Sequence, residues 1–254
     1  MKIQVDGLNI RYKEYGSGDK TAVILEGWGT SIEIYDSIAK AICDNYKVVV
    51  FDLPGFGESD EPLSPWGVSE YSAFCLKFFE KIGIKQATLI GHSYGGRIII
   101  YLSSNKVDFN IEKIVLIDSA GIMPKRSAKQ KFKIKLYKIK KKLFHLSFIY
   151  FFFSYMIDIW MHNQGSEDYK NASDMMKKCL VKSVNHDLTD KLQYIEPETL
   201  LIWGDKDDAT PLNDAKIMES KIKNASLAVI EGTGHFSFLE KPLVFKKIIR
   251  AFLV

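Results

Sequence analysis

The feature that most constrains the fold is an alternation of short apolar runs with helix-length segments. Six runs rich in β-branched residues lie at residues 21–27, 46–52, 86–91, 111–118, 198–204 and 226–232. Segments that suit amphipathic helices lie between and after them, near residues 33–43, 69–82, 94–104, 212–222 and 241–253. Nearly continuous apolar strands separated by helices are typical of a parallel sheet with both faces covered. The pattern predicts an α/β protein with a mostly parallel, doubly wound sheet.

The amino-terminal segment reads as two short strands around a turn at Asp6 and Gly7, and it lacks the apolar core of a signal peptide. The chain has three widely spaced cysteines without a CxxC pair, so the sequence indicates neither a disulfide framework nor a zinc site. We therefore expect a cytoplasmic protein without a metal.

The alternation is interrupted once, between Gly121 and Glu196. Structureless loops of this length are rare in compact domains, so we interpret residues 122–195 as a helical insertion into a core of residues 1–121 and 196–254. Within it, residues 144–161 are nearly long enough to cross a bilayer but contain His145 and Asp158. A buried helix of the insertion is favoured over a membrane span.

The positive charge of the chain is concentrated in this insertion. The formal net charge is +4, yet residues 119–157 hold ten of the 35 Lys and Arg residues and no Asp or Glu. The face between Lys129 and Lys142 is interpreted as a solvated helix surface or as a dock for an acidic carrier or a membrane surface. Nucleic acid is not an expected partner, because base-stacking aromatics are not arranged on the same face as the lysines.

The stretch GHSYG, residues 91–95, has the pattern G-x-S-x-G between a predicted strand and a predicted helix. So tight a turn forces its middle residue into strained backbone angles, and the flanking glycines remove side chains that would collide. Ser93 is thereby presented at the carboxyl edge of the sheet, where the start of a helix favours developing negative charge.

A serine hydroxyl needs an adjacent base in order to act as a nucleophile, and that base is usually a histidine oriented by a carboxylate. Of the five histidines, only His235 occupies a loop directly after a predicted strand and before the last helix. His92 neighbours the serine but is expected to point elsewhere. The loop after residue 204 offers three carboxylates, Asp205, Asp207 and Asp208, among which spacing alone does not choose. Pro211 is expected to start the following helix, with Thr210 as its cap.

Five motifs in this order resemble the α/β-hydrolase fold family, in its capped serine hydrolase or esterase type: EGWG, FDLPGFGESD, GHSYGG, GDKDDATP and GTGHFSFLEKP. The resemblance implies Ser93 as nucleophile, His235 as base and Asp207 as the orienting acid. It also implies an oxyanion hole made of the backbone N–H groups of Trp28 and Tyr94. The insertion corresponds to the family's variable cap.

One residue departs from the family's pattern: Glu26 stands where relatives usually carry a histidine before the oxyanion glycine. We interpret Glu26 as hydrogen-bonding the loop in place of that histidine; the alternative is a carboxylate that repels anionic substrates or has a raised pKa. Ser93 disfavours hydrolysis of epoxides or carbon–halogen bonds, for which similar enzymes use an aspartate nucleophile.

The expected activity is cofactor-free hydrolysis of a carboxylic ester or related acyl bond through an acyl-enzyme. The aromatic residues favour an apolar acyl or aryl group, with a pocket that includes Phe148, Phe152, Trp160 and Phe236. Acyltransferase, thioesterase, aminopeptidase and carbon–carbon bond hydrolase activities use the same three residues and stay open. A noncatalytic ligand-binding protein on the same fold is the alternative of another class.

Overall fold

A single sheet organises the part of the chain that the structure, a computed structural model, describes: residues 1–123 and 167–254. Its strands are β1 Lys2–Val5, β2 Leu8–Tyr15, β3 Lys20–Leu25, β4 Tyr46–Phe51, β5 Gln86–His92, β6 Asn110–Ile117, β7 Glu198–Gly204 and β8 Ala225–Ile230. They lie in the order β1-β2-β4-β3-β5-β6-β7-β8. The two amino-terminal strands pair antiparallel and β3 to β8 are parallel, which confirms the predicted sheet.

Helices follow most of the strands. They are α1 Asp36–Ile42, α2 Val68–Lys81, α3 Tyr94–Ser103, α4 Glu167–Asn171, α5 Asp174–Val184, α6 Leu212–Lys221, α7 Ser237–Glu240 and α8 Pro242–Leu253, with 3-10 turns at Ile32–Tyr35 and Leu192–Tyr194. The last predicted helix begins one residue later than expected, at Pro242, and the short α7 precedes it. Proline suits this first position because its missing N–H would have no partner within the helix.

The core lies along the central strands. Ile24, Ile90, Val115 and Ile202 are completely buried, as is Ile249 of α8. Each such side chain stabilises the fold by about 1.5–3 kcal/mol relative to an exposed position. Because both faces of the parallel strands are covered, the apolar runs in the sequence are continuous rather than alternating.

The chain divides into two compact units, one formed by Met1–Ile122 with Asp174–Val254 and the other by Met123–Ser173. Helix α5 thus belongs to the unit that holds the sheet. The lysine face between Lys129 and Lys142 and the apolar residues 144–161 lie outside the described residues, so the cap over residues 122–195 stays a prediction. Within the described ranges, no helix is both long and apolar enough to cross a membrane.

Candidate active site

Ser93 occupies the turn between β5 and α3. Its backbone angles are φ 49° and ψ −109°, a left-handed conformation that non-glycine residues rarely adopt. Neighbouring backbone groups hold it there: the Ser93 N–H donates to the Ile117 oxygen at 3.0 Å, and the Ser93 oxygen accepts from the Ala120 N–H at 2.9 Å. The strain is therefore maintained by the surrounding sheet, as expected for a residue that the fold must present.

The two glycines around this turn are required by close backbone packing. A Cβ atom on Gly95 would lie 2.1 Å from the carbonyl oxygen of Leu25, and one on Gly91 would lie 2.6 Å from the nitrogen of Gly96. Neither approach is possible for a real side chain. Helix α3 can therefore begin directly against β3 only because these positions lack a Cβ.

Three side chains from separate strand ends meet at this turn. His235 Nε2 lies 2.9 Å from Ser93 Oγ, and His235 Nδ1 lies 2.8 Å from Asp207 Oδ2. An ionised carboxylate only accepts hydrogen bonds, so Nδ1 carries the proton and Nε2 is left to accept the serine hydroxyl. The arrangement is that of a nucleophile, a base and an orienting acid.

The structure distinguishes the three candidate acids by burial. Asp205 and Asp208 are exposed, whereas Asp207 is buried and its Oδ1 accepts the N–H groups of Ala209 and Thr210, each at 2.9 Å. Burial raises the pKa of Asp207, but hydrogen bonds from His235 and Thr210 outweigh it, and the net pKa is lowered. Asp207 therefore remains a carboxylate at neutral pH.

The expectation that Thr210 caps the following helix is wrong. Helix α6 begins at Leu212, after Pro211, and no side chain caps it. The Thr210 hydroxyl lies instead 2.7 Å from Asp207 Oδ2, 2.9 Å from the Asp118 carbonyl oxygen and 3.3 Å from His235 Nδ1. Thr210 thus belongs to the surroundings of the acid rather than to the helix.

A second buried carboxyl group, which the motif analysis missed, lies beside Asp207. Asp118 follows β6 with φ 43°, and its oxygens accept from the Gly204 N–H at 2.8 Å and from the Ser237 hydroxyl at 2.6 Å. Burial raises the pKa of Asp118 to about 7; hydrogen bonds from Ser237 and Gly204 oppose this rise, and the charge of Asp207 adds to it. In the sequence, Asp118 is recognisable as an acid that directly follows the apolar residues 114–117.

The predicted oxyanion groups border the same turn. Tyr94 is the first residue of α3, and the first N–H groups of a helix have no partner within it. The Trp28 ring packs edge-on against Phe56 and Tyr94, with ring centroids 4.9 and 5.0 Å apart. The two side chains therefore pack against each other, and the oxyanion role of their backbone N–H groups stays a prediction.

Glu26 is completely buried behind this loop. Its Oε1 accepts the Leu53 N–H at 2.7 Å and its Oε2 accepts the Thr30 hydroxyl at 3.1 Å. Burial, followed by the charge of Asp52, raises the pKa of Glu26 well above its usual value. The interpretation that Glu26 hydrogen-bonds the loop is thus confirmed, and the raised pKa of the alternative is also present.

His92 points away from the serine, as expected, and is buried. Its Nε2 lies 2.8 Å from the backbone oxygen of His235, and its Nδ1 lies 3.1 Å from the Tyr35 hydroxyl. Burial, followed by the charge of His235, lowers the pKa of His92 to about 3. The ring is therefore neutral at physiological pH.

Of the predicted pocket residues, only Phe236 is described. Its ring centroid lies 5.5 Å from that of His235 and 5.0 Å from that of His92, so it lies against the base. The other three, Phe148, Phe152 and Trp160, lie outside the described residues. Their contribution to a pocket stays a prediction.

The fold and the contact geometry together define an α/β protein. At the carboxyl edge of its sheet, successive hydrogen bonds join a serine, an imidazole and a carboxylate. Residues 21–140 match the family described as alpha/beta hydrolase fold, and residues 169–254 match the one described as TAP-like protein. The chain belongs to the α/β-hydrolase fold family.

Relatives extend over nearly the whole chain. It is 24% identical to the uncharacterized hydrolase YugF of Bacillus subtilis (strain 168), with 99% of this chain and 97% of that protein covered. It is also 24% identical to a 2-hydroxy-6-oxononadienedioate/2-hydroxy-6-oxononatrienedioate hydrolase of Escherichia coli O81 (strain ED1a), with 97% and 91% covered. An esterase from Exiguobacterium antarcticum shares the fold, with a TM-score of 0.76, 23% identity and 99% and 98% covered.

Proposed function

We propose that the protein is a serine hydrolase that cleaves a carboxylic ester or a related acyl bond. The observation that carries the proposal is the pair of contacts made by His235, at 2.9 Å to Ser93 Oγ and 2.8 Å to Asp207 Oδ2. These distances suit transfer of the serine proton to the imidazole while the carboxylate stabilises the imidazolium.

In the proposed reaction, Ser93 Oγ forms a bond to the substrate carbonyl carbon while its proton passes to His235 Nε2. The backbone N–H groups of Trp28 and Tyr94 would stabilise the negative charge on the carbonyl oxygen. The resulting tetrahedral intermediate then collapses, which breaks the ester bond, and His235 returns the proton to the leaving alcohol. A water molecule then repeats the sequence on the acyl-serine, giving the carboxylic acid and free Ser93.

Aromatic packing beside the nucleophile supports an apolar substrate. Trp28 is partly exposed and packs on a buried aromatic cluster of Phe56, Tyr71 and Tyr94. Each acyl methylene buried against the exposed part of such a ring would contribute about 0.8 kcal/mol to binding.

Charge supports a neutral rather than an anionic substrate. Asp207 is an ionised carboxylate within the site, whereas burial favours the neutral forms of Glu26 and Asp118. Additional negative charge near Asp207 would be opposed electrostatically. We therefore favour a neutral ester over a dioate such as the one named for the relative in Escherichia coli.

Covalent labelling tests the proposal. A fluorophosphonate probe should label Ser93 of the wild type, and Ser93→Ala should abolish labelling and lower kcat on p-nitrophenyl esters about 10⁴-fold or more without unfolding. Ser104→Ala, which changes a serine at the end of α3, is the matched control and should behave as wild type. A wild type that binds esters without labelling would be a noncatalytic ligand-binding protein, and the proposal would be wrong.

Acyl transfer and thioester hydrolysis would use the same three residues as ester hydrolysis. A series of esters of increasing chain length, with added thiol or alcohol acceptors, separates these activities.

Docking of an acidic carrier or membrane surface at the lysine face between Lys129 and Lys142 stays a prediction from the charge pattern, as does a cytoplasmic location.

A further inference from the structure

Gly27, the residue before Trp28, is held by both of its backbone polar groups. Its N–H, which belongs to the preceding peptide, donates to the Tyr35 hydroxyl at 2.6 Å. Its oxygen, which belongs to the Gly27–Trp28 peptide, accepts from the Thr30 N–H at 3.4 Å and lies 3.0 Å from the Thr30 hydroxyl, which is itself 3.0 Å from the Tyr35 hydroxyl. In a trans peptide the N–H points opposite to the carbonyl of the preceding residue. Fixing the Gly27 carbonyl therefore fixes the direction of the Trp28 N–H, one of the two proposed oxyanion donors.

The same tyrosine hydroxyl is also linked, through the His92 ring, to the backbone of His235. Tyr35 Oη lies 3.1 Å from His92 Nδ1, and His92 Nε2 lies 2.8 Å from the His235 backbone oxygen. A carbonyl only accepts, so His92 Nε2 carries the proton and Nδ1 must accept. The Tyr35 hydroxyl consequently donates to His92 and accepts from the Gly27 N–H.

Packing leaves the hydroxyl no alternative position. Tyr35 is completely buried, and its ring stacks on Phe238 of α7 with centroids 5.7 Å apart. A Cβ atom on Gly27 would lie 2.8 Å from His92 Nδ1 and 3.3 Å from the Tyr35 hydroxyl oxygen. The oxyanion loop thus rests directly on the His92 ring.

We propose that Tyr35 is a positioning residue of the reaction, whose hydroxyl aligns the Trp28 N–H with the loop that carries His235. It touches neither substrate nor Ser93 and acts through the Gly27 peptide on one side and His92 on the other. This inference rests on the proposed serine hydrolase function. It assigns a task to a tyrosine outside the five family motifs.

The test compares Tyr35→Phe with Tyr46→Phe. Tyr46 is also buried and its hydroxyl donates to a backbone oxygen, that of Leu253 at 3.2 Å, but it lies on β4 among core residues. Active enzyme is counted by fluorophosphonate labelling, and kcat and KM are measured on p-nitrophenyl acetate. Since loss of one oxyanion donor costs about 10²–10³ in kcat, misalignment of one should lower kcat about tenfold or more in Y35F.

In Y35F, KM should stay within about twofold of wild type, because the aligned donor acts on the transition state rather than on bound ester. Affinity for an aryl boronic acid, which mimics the tetrahedral intermediate, should fall by the same factor as kcat/KM. Y46F should leave all three quantities within about twofold of wild type. Equal kcat in Y35F and Y46F, or a Y35F defect confined to KM, would overturn the inference.

If Y35F does not fold, Thr30→Val provides a second test. It removes the hydroxyl that lies 3.0 Å from both the Gly27 oxygen and the Tyr35 hydroxyl, and it keeps the 3.4 Å bond from the Thr30 N–H. We expect kcat to fall again with KM unchanged, and an unchanged kcat would overturn the inference. If the wild type is not labelled at Ser93, the proposed function fails and this inference fails with it. If the wild type is labelled at Ser93 and Y35F keeps the wild-type kcat, only this inference is wrong.

Discussion

Asp207 and Asp208 are adjacent acids with different surroundings. Asp208 is exposed, whereas Asp207 is buried and accepts from His235 Nδ1 at 2.8 Å and from two backbone N–H groups. Neighbours in the chain therefore differ in environment because the turn directs one side chain into the sheet edge and the other into water.

Asp207→Asn should lower kcat by about 10³–10⁴-fold with little change in KM. An amide donor in place of Oδ2 would favour the tautomer in which His235 carries its proton on Nε2, where it cannot accept from Ser93. Steady-state kinetics on a p-nitrophenyl ester, with Asp208→Asn as the control that should keep wild-type activity, makes the comparison. Similar activities of D207N and D208N would refute the assigned acid.

The structure brings the predicted Ser93, Asp207 and His235 together, and their catalytic roles stay predictions. Ser93 follows from the glycine spacing, and His235 from its place after a strand. Asp118 and Tyr35 were missed, because their contacts join residues about 119 and 57 positions apart, as in Asp118 with Ser237 and His92 with Tyr35. Local sequence patterns do not indicate contacts between residues so far apart in the chain.

Helix α5 is attached to the sheet unit by a buried cation. Arg97 of α3 is 5% exposed, and its Nη1 donates to the Ser183 oxygen at 3.2 Å and the His186 oxygen at 2.6 Å. These carbonyls end α5, where a helix carries partial negative charge and unpaired acceptors. Tyr94 adds a contact between its hydroxyl and Ser183 Oγ at 2.8 Å.

Arg97→Met should lower the free energy of unfolding by about 1–3 kcal/mol, since the Ser183 and His186 oxygens lose a bond from a buried cation and Ser183 keeps only the 3.2 Å bond from the His186 N–H. Urea unfolding measures this difference. Arg250→Met is the control: Arg250 is half-buried, donates to the Ala41 oxygen at 3.0 Å and pairs with the exposed Asp44 at 3.1 Å, so its loss should cost less than that of the buried Arg97. Equal destabilisation by the two variants would contradict the proposed attachment of α5.

Element boundaries show which signals are local. The strands were placed within a few residues because apolar runs end where the sheet ends. The last helix was also placed within one residue, at 241–253 against Pro242–Leu253, whereas the short α7 before it was not predicted. The assignment of Thr210 to a helix cap was wrong because its hydroxyl bonds to Asp207 in the same loop and to the carbonyl of Asp118, which is 92 positions away.

At the scale of the molecule, Asp118 connects the ends of β6 and β7 with α7 and makes stability depend on pH. Its pKa is about 7 in the fold against a usual 3.8. Between these values the folded protein keeps a proton that the unfolded chain releases, so this contribution to stability falls as pH rises. The slope is at most about 1.4 kcal/mol per pH unit for one group.

Asp118→Asn should remove this slope, because asparagine does not titrate. Thermal unfolding from pH 4.5 to 8 should show wild type losing stability relative to D118N as pH rises towards 7, with a constant difference above it. D208N, which changes an exposed acid, should give a profile parallel to wild type. A wild-type profile parallel to that of D118N would show that Asp118 does not carry the proton.

The sequence by itself determined the layered α/β fold and the sharp turn at Ser93, because periodicity and glycine spacing act over a few residues. Only the tertiary structure decided which acid is buried, which hydroxyl meets His92 and how Glu26 is paired. Parallel strands bring their carboxyl ends to one edge, so residues far apart in the chain become neighbours there. Their burial and hydrogen bonds depend on that assembly rather than on local sequence.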